Sequence, residues 1–531
     1  MKKPVLLLFL FLLVKMVLQY FLINPIYDLH RDEYLHLDQA KHLAWGYASV
    51  PPASSWIAWI ILQLGNGEFW VKFFPAFFGA LTLLLVWKMI EALKGGLFAL
   101  LMGAMAILFS ALLRINTLFQ PNSLEILLWT LIFFSVLKYI QIEGQQQIEK
   151  IDQIKRPLQK DKNYKPSSRW LYILSIAFAL ALLNKYNIVF LLLGFIPAIL
   201  ITEHRTIFLN KHFYFSILLS LLLIAPNLYW QYQNDFPVIA HMKTLQRTQL
   251  VNVDRMNFVK EQLLFFIGSL FVLIAAFFSF FLYPPFKKYR IFFWTYCFCI
   301  ALFIYFKAKG YYAIGLYPVI LAFGAVYLET LLAKSWWRYL KPICLLLPLV
   351  FILRVFNLIF PVNSPDQIQQ DLPKFSRLGL LRWEDGKEHD LPQDFADMLG
   401  WKELAAKVDS AFLLVNDPKH TLVYCDNYGQ AGAVNYYSKI KGMGAVSYNA
   451  DYLNWFPLND TILNVIQVKE AKDVAREMEG QRTQFETVER FGEIGAPFAR
   501  EKGTAILILK KPKINLLELV KKEIAEEKKG E

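Results

Sequence analysis

Charge is what this sequence has little of: 19% of its 531 residues are Asp, Glu, Lys or Arg, against roughly a quarter in soluble domains. That shortage excludes an ordinary soluble enzyme. Cysteine is scarcer still, with four in the chain. Cys297, Cys299 and Cys344 lie inside apolar runs and only Cys425 lies outside, so no disulfide scaffold is implied. There is no Gly-rich phosphate loop and no internal repeat, which speaks against an ATP-driven pump carrying its own motor. Acidic residues number 43 against 56 basic ones, a formal charge of +13. A nucleic-acid binder would gather that excess into a patch. Here Lys and Arg instead punctuate long apolar runs such as Val5 to Leu13, Leu81 to Trp87, Leu191 to Ile201 and Leu345 to Leu353, as in membrane spans joined by basic loops.

Abundant apolar and aromatic residues, 56% and 16%, complete the signature of a polytopic membrane protein. The first apolar stretch, to Ile23, begins like a signal peptide but lacks a small-residue cleavage site and is long enough to span, so it reads as an uncleaved first helix. Lys15 inside it must snorkel or find an interhelical partner. Further spans are expected near Leu81, Ala106, Phe133, Ile176, Leu193, Leu221, Leu273, Ala301, Val319 and Pro348, about eleven in all. With basic residues concentrated in alternate loops, seven of them between Lys150 and Arg169, the N-terminus is expected in the cytoplasm and the C-terminus outside. Residues 1–360 form the transmembrane domain in this reading, with 24–67 as its first external loop and the polar stretch 141–169 as a flexible cytoplasmic linker. Residues 361–531 read as a soluble extracytoplasmic α/β domain, with helices near Gly400 to Phe412 and Leu516 to Lys528 and strands at Thr421 to Cys425, Thr461 to Val468, Phe485 to Phe491 and Thr504 to Leu509.

The first external loop holds the densest chemistry: Asp28, His30, Arg31, Asp32, Glu33, His36, Asp38 and His42 lie within it, in a chain with eight histidines. A carboxylate at a membrane boundary can take a proton from a hydroxyl, and desolvation would raise its pKa towards the working pH. Adjacent residues on a helix point about 100° apart, so Asp32 is the candidate base and Glu33 an orienting or acceptor-binding group. Both could equally cap an interfacial helix. A divalent cation at the Asp32/His36 region is a further option, while no cofactor is required. The basic residues Lys185, Lys307 and Lys309 sit at helix ends in outer loops, where they could neutralise a lipid phosphate.

In chain order, Asp32-Glu33-Tyr34, Gly46-Tyr47, Pro51-Pro52, Asn184-Lys185-Tyr186, Pro226-Asn227 with Trp230, and Lys307-Ala308-Lys309-Gly310-Tyr311-Tyr312 with Tyr317-Pro318 resemble the bacterial members of the protein O-mannosyltransferase and aminoarabinose transferase superfamily. Two stretches of the last domain, Leu391 to Trp401 and Asn427 to Ala433, look like the tail of one bacterial branch. The resemblance implies a C-type glycosyltransferase (GT-C) fold. It also implies a membrane enzyme of the bacterial inner membrane that transfers a sugar, with inversion, from a polyprenyl-phosphate donor to a glycolipid, glycan or protein acceptor on the periplasmic face. Carried over by motif, Asp32 and Glu33 are catalytic candidates and Lys185, Lys307 and Lys309 donor-phosphate candidates. Arg31, Tyr34, His36, Lys72, Asn122, Tyr186, Asn227, Tyr311 and Tyr312 are substrate-binding candidates. Two positions depart from the family pattern: Lys72 stands where many relatives have Arg, and Asn122 where Asp is common. Both bear on sugar or acceptor preference. A transporter or flippase of a lipid-linked sugar, or a membrane subunit whose external domain binds a partner, are the competing readings; each would need similar spans, and the flippase similar lysines.

Overall fold

Leu-, Ile- and Phe-rich runs with apolar residues all round leave the backbone no option in lipid but to satisfy its hydrogen bonds internally, and they do so as helices. The computed structural model describes residues 3–155, 167–458 and 460–529. The ten expected span centres fall within helices, and the first apolar stretch forms the helix Lys3–Phe21. Among the described residues, six helical segments are long and apolar enough to cross a membrane, or up to eight if each of two bent pairs is one span. The bends, 105° after Leu200 and 62° after Leu264, account for part of the larger number expected from hydropathy alone. The stretch expected as a linker behaves differently over its first part: the helix Pro121–Lys155 runs on through residues 141–155. The linker expectation for 156–166 lies outside the described residues.

The first unit comprises Met1–Leu22, Val50–Ala53 and Lys72–Phe360. Its centre is the Gly310–Leu331 segment, 78% buried, whereas Trp336–Ile359 is only 11% buried and turns its apolar side chains outward. Helices Leu270–Leu282 and Leu97–Leu108 pack on the central Tyr317–Leu331 helix. Gly324 makes the first of these approaches possible, because a Cβ there would collide with the Val272 carbonyl. Lys15 takes the interhelical option. It is 1% exposed and donates to Gln19 Oε1 at 2.7 Å and Asn116 Oδ1 at 2.9 Å.

The second unit is assembled from Ile23–Ser49, Ser54–Val71 and Pro361–Glu531, so the loop 24–67, apart from Val50–Ala53, folds with the C-terminal residues. Its sheet contains β1 (Thr421–Cys425), β2 (Ala445–Val446), β3 (Asn464–Lys469), β4 (Phe485–Glu493) and β5 (Ala505–Pro512), in the order β2-β1-β3-β5-β4. β1 pairs in parallel with β2 and β3, and β5 pairs antiparallel with β3 and β4. The central strand β3 is buried on both faces over Val465 to Val468, Gln467 included, and edge strand β4 is largely exposed. The four expected strands are present; β2, two residues long, carries no sequence periodicity to find. The helix Tyr428–Tyr437 between β1 and β2 was not expected either, since its Gly-rich start reads as a loop.

Candidate active site

Asp32 lies in the first turn of the helix Arg31–Gln39. His30 is the N-cap: its Nδ1 accepts from the Asp32 N–H at 3.2 Å, while Glu33 Oε2 accepts from the His30 N–H at 2.7 Å, which closes a capping box. Glu33 is therefore a fully buried helix cap. The capping alternative holds for Glu33. Asp32 takes a different direction, as the 100° offset demands, and its side chain keeps 38% exposure.

What surrounds Asp32 comes from the two C-terminal stretches. Tyr428 donates its hydroxyl to Asp32 Oδ1 at 2.6 Å, and the Arg31 guanidinium carbon lies 4.6 Å from the centre of the Tyr428 ring. Asp397, 2% exposed, accepts from Arg500 Nη1 at 3.1 Å and stands 3.7 Å from His30 Nε2. The backbone is joined too, with Asp28 and Arg31 N–H groups donating to the carbonyls of Met398 and Asp397. Asp28 returns the favour by accepting from the N–H groups of Trp401 and Lys402, supplying the cap that Gly400 lacks for the helix Trp401–Val415. Gly432 allows the Tyr428–Tyr437 helix to lie against Tyr34, since a Cβ there would sit 2.5 Å from the Tyr34 Cβ.

These neighbours overturn the expected upward pKa of Asp32. Burial pushes its carboxyl up, but the charges of His30 and Arg31, the Tyr428 hydroxyl and the charge of His36 together hold it below the ordinary carboxylate value. Asp32 is thus ionised at neutral pH. His36 is buried, pushed down by desolvation, with Nδ1 3.1 Å from Gln39 Oε1. Tyr34 is fully buried, its hydroxyl donating to the Leu29 carbonyl at 2.9 Å.

A second group lies in the first unit. Lys185 Nζ donates to Asn122 Oδ1 and to Glu125 Oε2, each at 2.9 Å, and sits 5.0 and 4.5 Å from the ring centres of Tyr311 and Tyr312. Asn187 completes it by donating to Glu125 Oε1 at 2.7 Å and to the Tyr312 carbonyl at 3.1 Å. The structure thus brings Asn122, Lys185, Tyr311 and Tyr312 together. Tyr186 makes a separate set, donating to Asn227 Oδ1 at 3.2 Å and accepting from Gln231 Nε2 at 2.9 Å. Lys309 donates to Gln249 Oε1 at 2.7 Å. Lys307, in a left-handed backbone conformation just after the helix Arg290–Tyr305, and Lys72, in the helix Glu68–Ala92, are half-buried. Glu125 and Asn187 escaped the sequence reading; Glu125 lies three residues beyond the Asn122 departure, one turn along the same helix, which was the available signal.

The sequence model of the family described as dolichyl-phosphate-mannose-protein mannosyltransferase matches residues 49–148 and 162–230. Two crystal structures of ArnT from Cupriavidus metallidurans, one bound to undecaprenyl phosphate and one in the apo state, are similar to the whole chain. Their TM-scores are 0.60 and 0.61, at 12% identity, over 96% of this chain and 98% of that one. The family match supports the activity class, and the ArnT likeness shows the fold. The chain is a GT-C membrane glycosyltransferase. No curated protein matches its sequence, and nothing in the comparisons supports a flippase.

At Asp32/His36, the region of the cation option, the side chains are engaged in hydrogen bonds. Among the described residues no three His, Cys, Asp or Glu side chains gather as ligands; Asp32 Oδ1 is taken up by Tyr428 and His36 Nδ1 by Gln39. Beneath the helix, Asp451 accepts from Gln39 Nε2 at 2.8 Å and the Ala48 N–H at 2.7 Å. Burial pushes its carboxyl from 3.8 up to about 6, against the Ala48 and Gln39 donors that pull it down. A carboxyl raised on folding favours the folded state fully below its unfolded value, and that advantage, about 3 kcal/mol here, is lost as pH rises through about 6. The expected result is a melting temperature for the full-length protein that falls over this window, and an Asp451→Asn variant whose difference from wild type grows over the same pH range.

Proposed function

We propose that this glycosyltransferase moves a sugar from a polyprenyl-phosphate donor to a hydroxyl of a glycolipid, glycan or protein acceptor, with inversion, at the external face of a bacterial cytoplasmic membrane. The observation that carries the reading is Asp32: a half-exposed carboxylate, kept ionised by its neighbours, on a rigidly capped helix. The undecaprenyl phosphate bound to ArnT and the dolichyl-phosphate mannose in the family description support the donor class. In the reaction the acceptor oxygen attacks the anomeric carbon opposite the phosphate, the carbon–oxygen bond to phosphate breaks, and the phosphate keeps the electron pair. The acceptor's proton passes to Asp32. A carboxylate of low basicity suits this order, because the hydroxyl becomes strongly acidic once its oxygen has bonded to the anomeric carbon. An ammonium has three protons. Lys185 spends two within its cluster, and the third is the one we assign to the departing phosphate.

The test uses undecaprenyl-phosphate-linked mannose, labelled in the sugar, with full-length protein in membranes. Label in the acceptor fraction and free undecaprenyl phosphate are expected, as is a co-purifying polyprenyl phosphate in native mass spectra of gently extracted protein. If only bulk phospholipid is bound and no label moves, with aminoarabinose as sugar as well as mannose, the donor assignment is wrong. The N-in, C-out orientation predicts that an alkaline phosphatase fused after Glu531 is active in a bacterial host.

A further inference from the structure

We propose that Tyr428 is a positioning residue for the transfer reaction: the hydrogen bond it gives Asp32 Oδ1 aims the carboxylate, so the C-terminal residues set the direction of the base in the first external loop. This rests on the assignment of Asp32 above. Tyr428 is itself placed by an unusually complete set of contacts. It is the first residue of its helix, directly after the N-cap Asn427, whose Oδ1 accepts from the Gly429 and Gln430 N–H groups at 3.0 and 3.1 Å. Asn427 Nδ2 donates to Glu501 Oε1 at 3.2 Å, and Gln430 Nε2 donates to Glu501 Oε2 at 2.7 Å. Glu501 is 5% exposed, so the start of the helix is locked to the turn before β5. The Tyr428 ring is held from its other side by Arg31.

That geometry leaves the phenol one task. Its ring is fixed by packing and its hydroxyl ends at a carboxylate oxygen, at the short distance of a charge-assisted bond. The Asp32 side chain is half-exposed, so its χ angles are not fixed by burial alone. One strong donor on Oδ1 restricts that rotation and with it the line along which Asp32 meets an incoming hydroxyl. The charged and titratable groups around the carboxylate are His30, Arg31 and His36 on or beside its own helix, Tyr428 on the facing helix, and Asp394 and Asp397 from the stretch ending at Trp401. Tyr428 alone among these gives it a hydroxyl.

Tyr428→Phe keeps the ring on Arg31 and removes only the donor. In full-length protein, carbodiimide labelling of Asp32 followed by mass spectrometry against pH reads its protonation without substrate. The midpoint is expected to rise by about one pH unit in the variant, the size of a lost hydrogen bond to a carboxylate. With undecaprenyl-phosphate-linked mannose, kcat is expected to fall about 10-fold with little change in donor KM, since the interaction matters in the transition state. An unaltered midpoint together with an unaltered kcat, where Asp32→Asn itself lowers transfer about 10²- to 10⁴-fold, overturns the proposal and leaves the base assignment standing. Transfer unaffected by Asp32→Asn defeats the base assignment instead. Should Tyr428→Phe melt early, the double variant decides: added to Asp32→Asn it is expected to cause no further loss of residual transfer, and losses that multiply would show that Tyr428 acts elsewhere.

Discussion

Asp32→Asn is expected to lower sugar transfer about 10²- to 10⁴-fold, the range for removing a positioned general base, while the lipid donor still binds. The substitution is a clean one in this setting. Asn is the same shape, its Oδ1 can go on accepting from Tyr428, and the capping box of His30 and Glu33 does not involve the changed group. What disappears is a negative charge able to take a proton. Because the neighbours depress the Asp32 pKa, the wild-type activity should hold at mildly acidic pH and fail only below the ordinary carboxylate range. A carboxylate lifted by desolvation would fail earlier. The pH profile of transfer therefore separates the two pictures, and wild-type transfer by Asp32→Asn would remove Asp32 from the chemistry.

The loop that carries Asp32 was legible because composition advertises it: acids and histidines crowded beside an apolar run must cap, pair or react to offset their desolvation. Its helix start was legible in outline, since acidic residues favour the first turn. Which acid does what was not, because the capping box uses His30, a residue that rarely caps, and buries Glu33. The partners of Asp32 lie almost 400 residues away in sequence. The stretches around Asp397 and Tyr428 stood out as a family look, but no local pattern says that they clasp the first loop. That contact also changes what a truncation means. Removing Asp366 to Glu531 strips Asp28, Arg31, Asp32 and Asp38 of the groups that hold them, so loss of acceptor choice in such a truncation would report a disordered base as readily as a missing binding surface. In the membrane part, apolar runs located the helices faithfully, whereas the bends after Leu200 and Leu264 leave no mark in the hydrophobic periodicity.

Lys185→Ala carries the second large expectation, and it must be read with Glu125. Glu125 is 5% exposed at its side chain and is paired with Lys185 at 2.9 Å. Removing the ammonium alone leaves Asn187 to hold the carboxylate and strands a buried charge, which typically costs about 3–5 kcal/mol. The single variant should therefore lose both stability and donor binding, and its inactivity would be ambiguous. Lys185→Met with Glu125→Gln removes both charges and keeps similar volumes, so its melting temperature is expected to return close to wild type. Donor affinity is not expected to return. One charge-assisted bond to phosphate is worth about 1.5–3 kcal/mol, so the double variant should bind undecaprenyl-phosphate-linked mannose about 10- to 100-fold more weakly, measured by titration in detergent. Recovery of affinity along with stability would make Lys185 a partner of Glu125 and nothing more, and the phosphate would then have to be sought at Lys307 or Lys309.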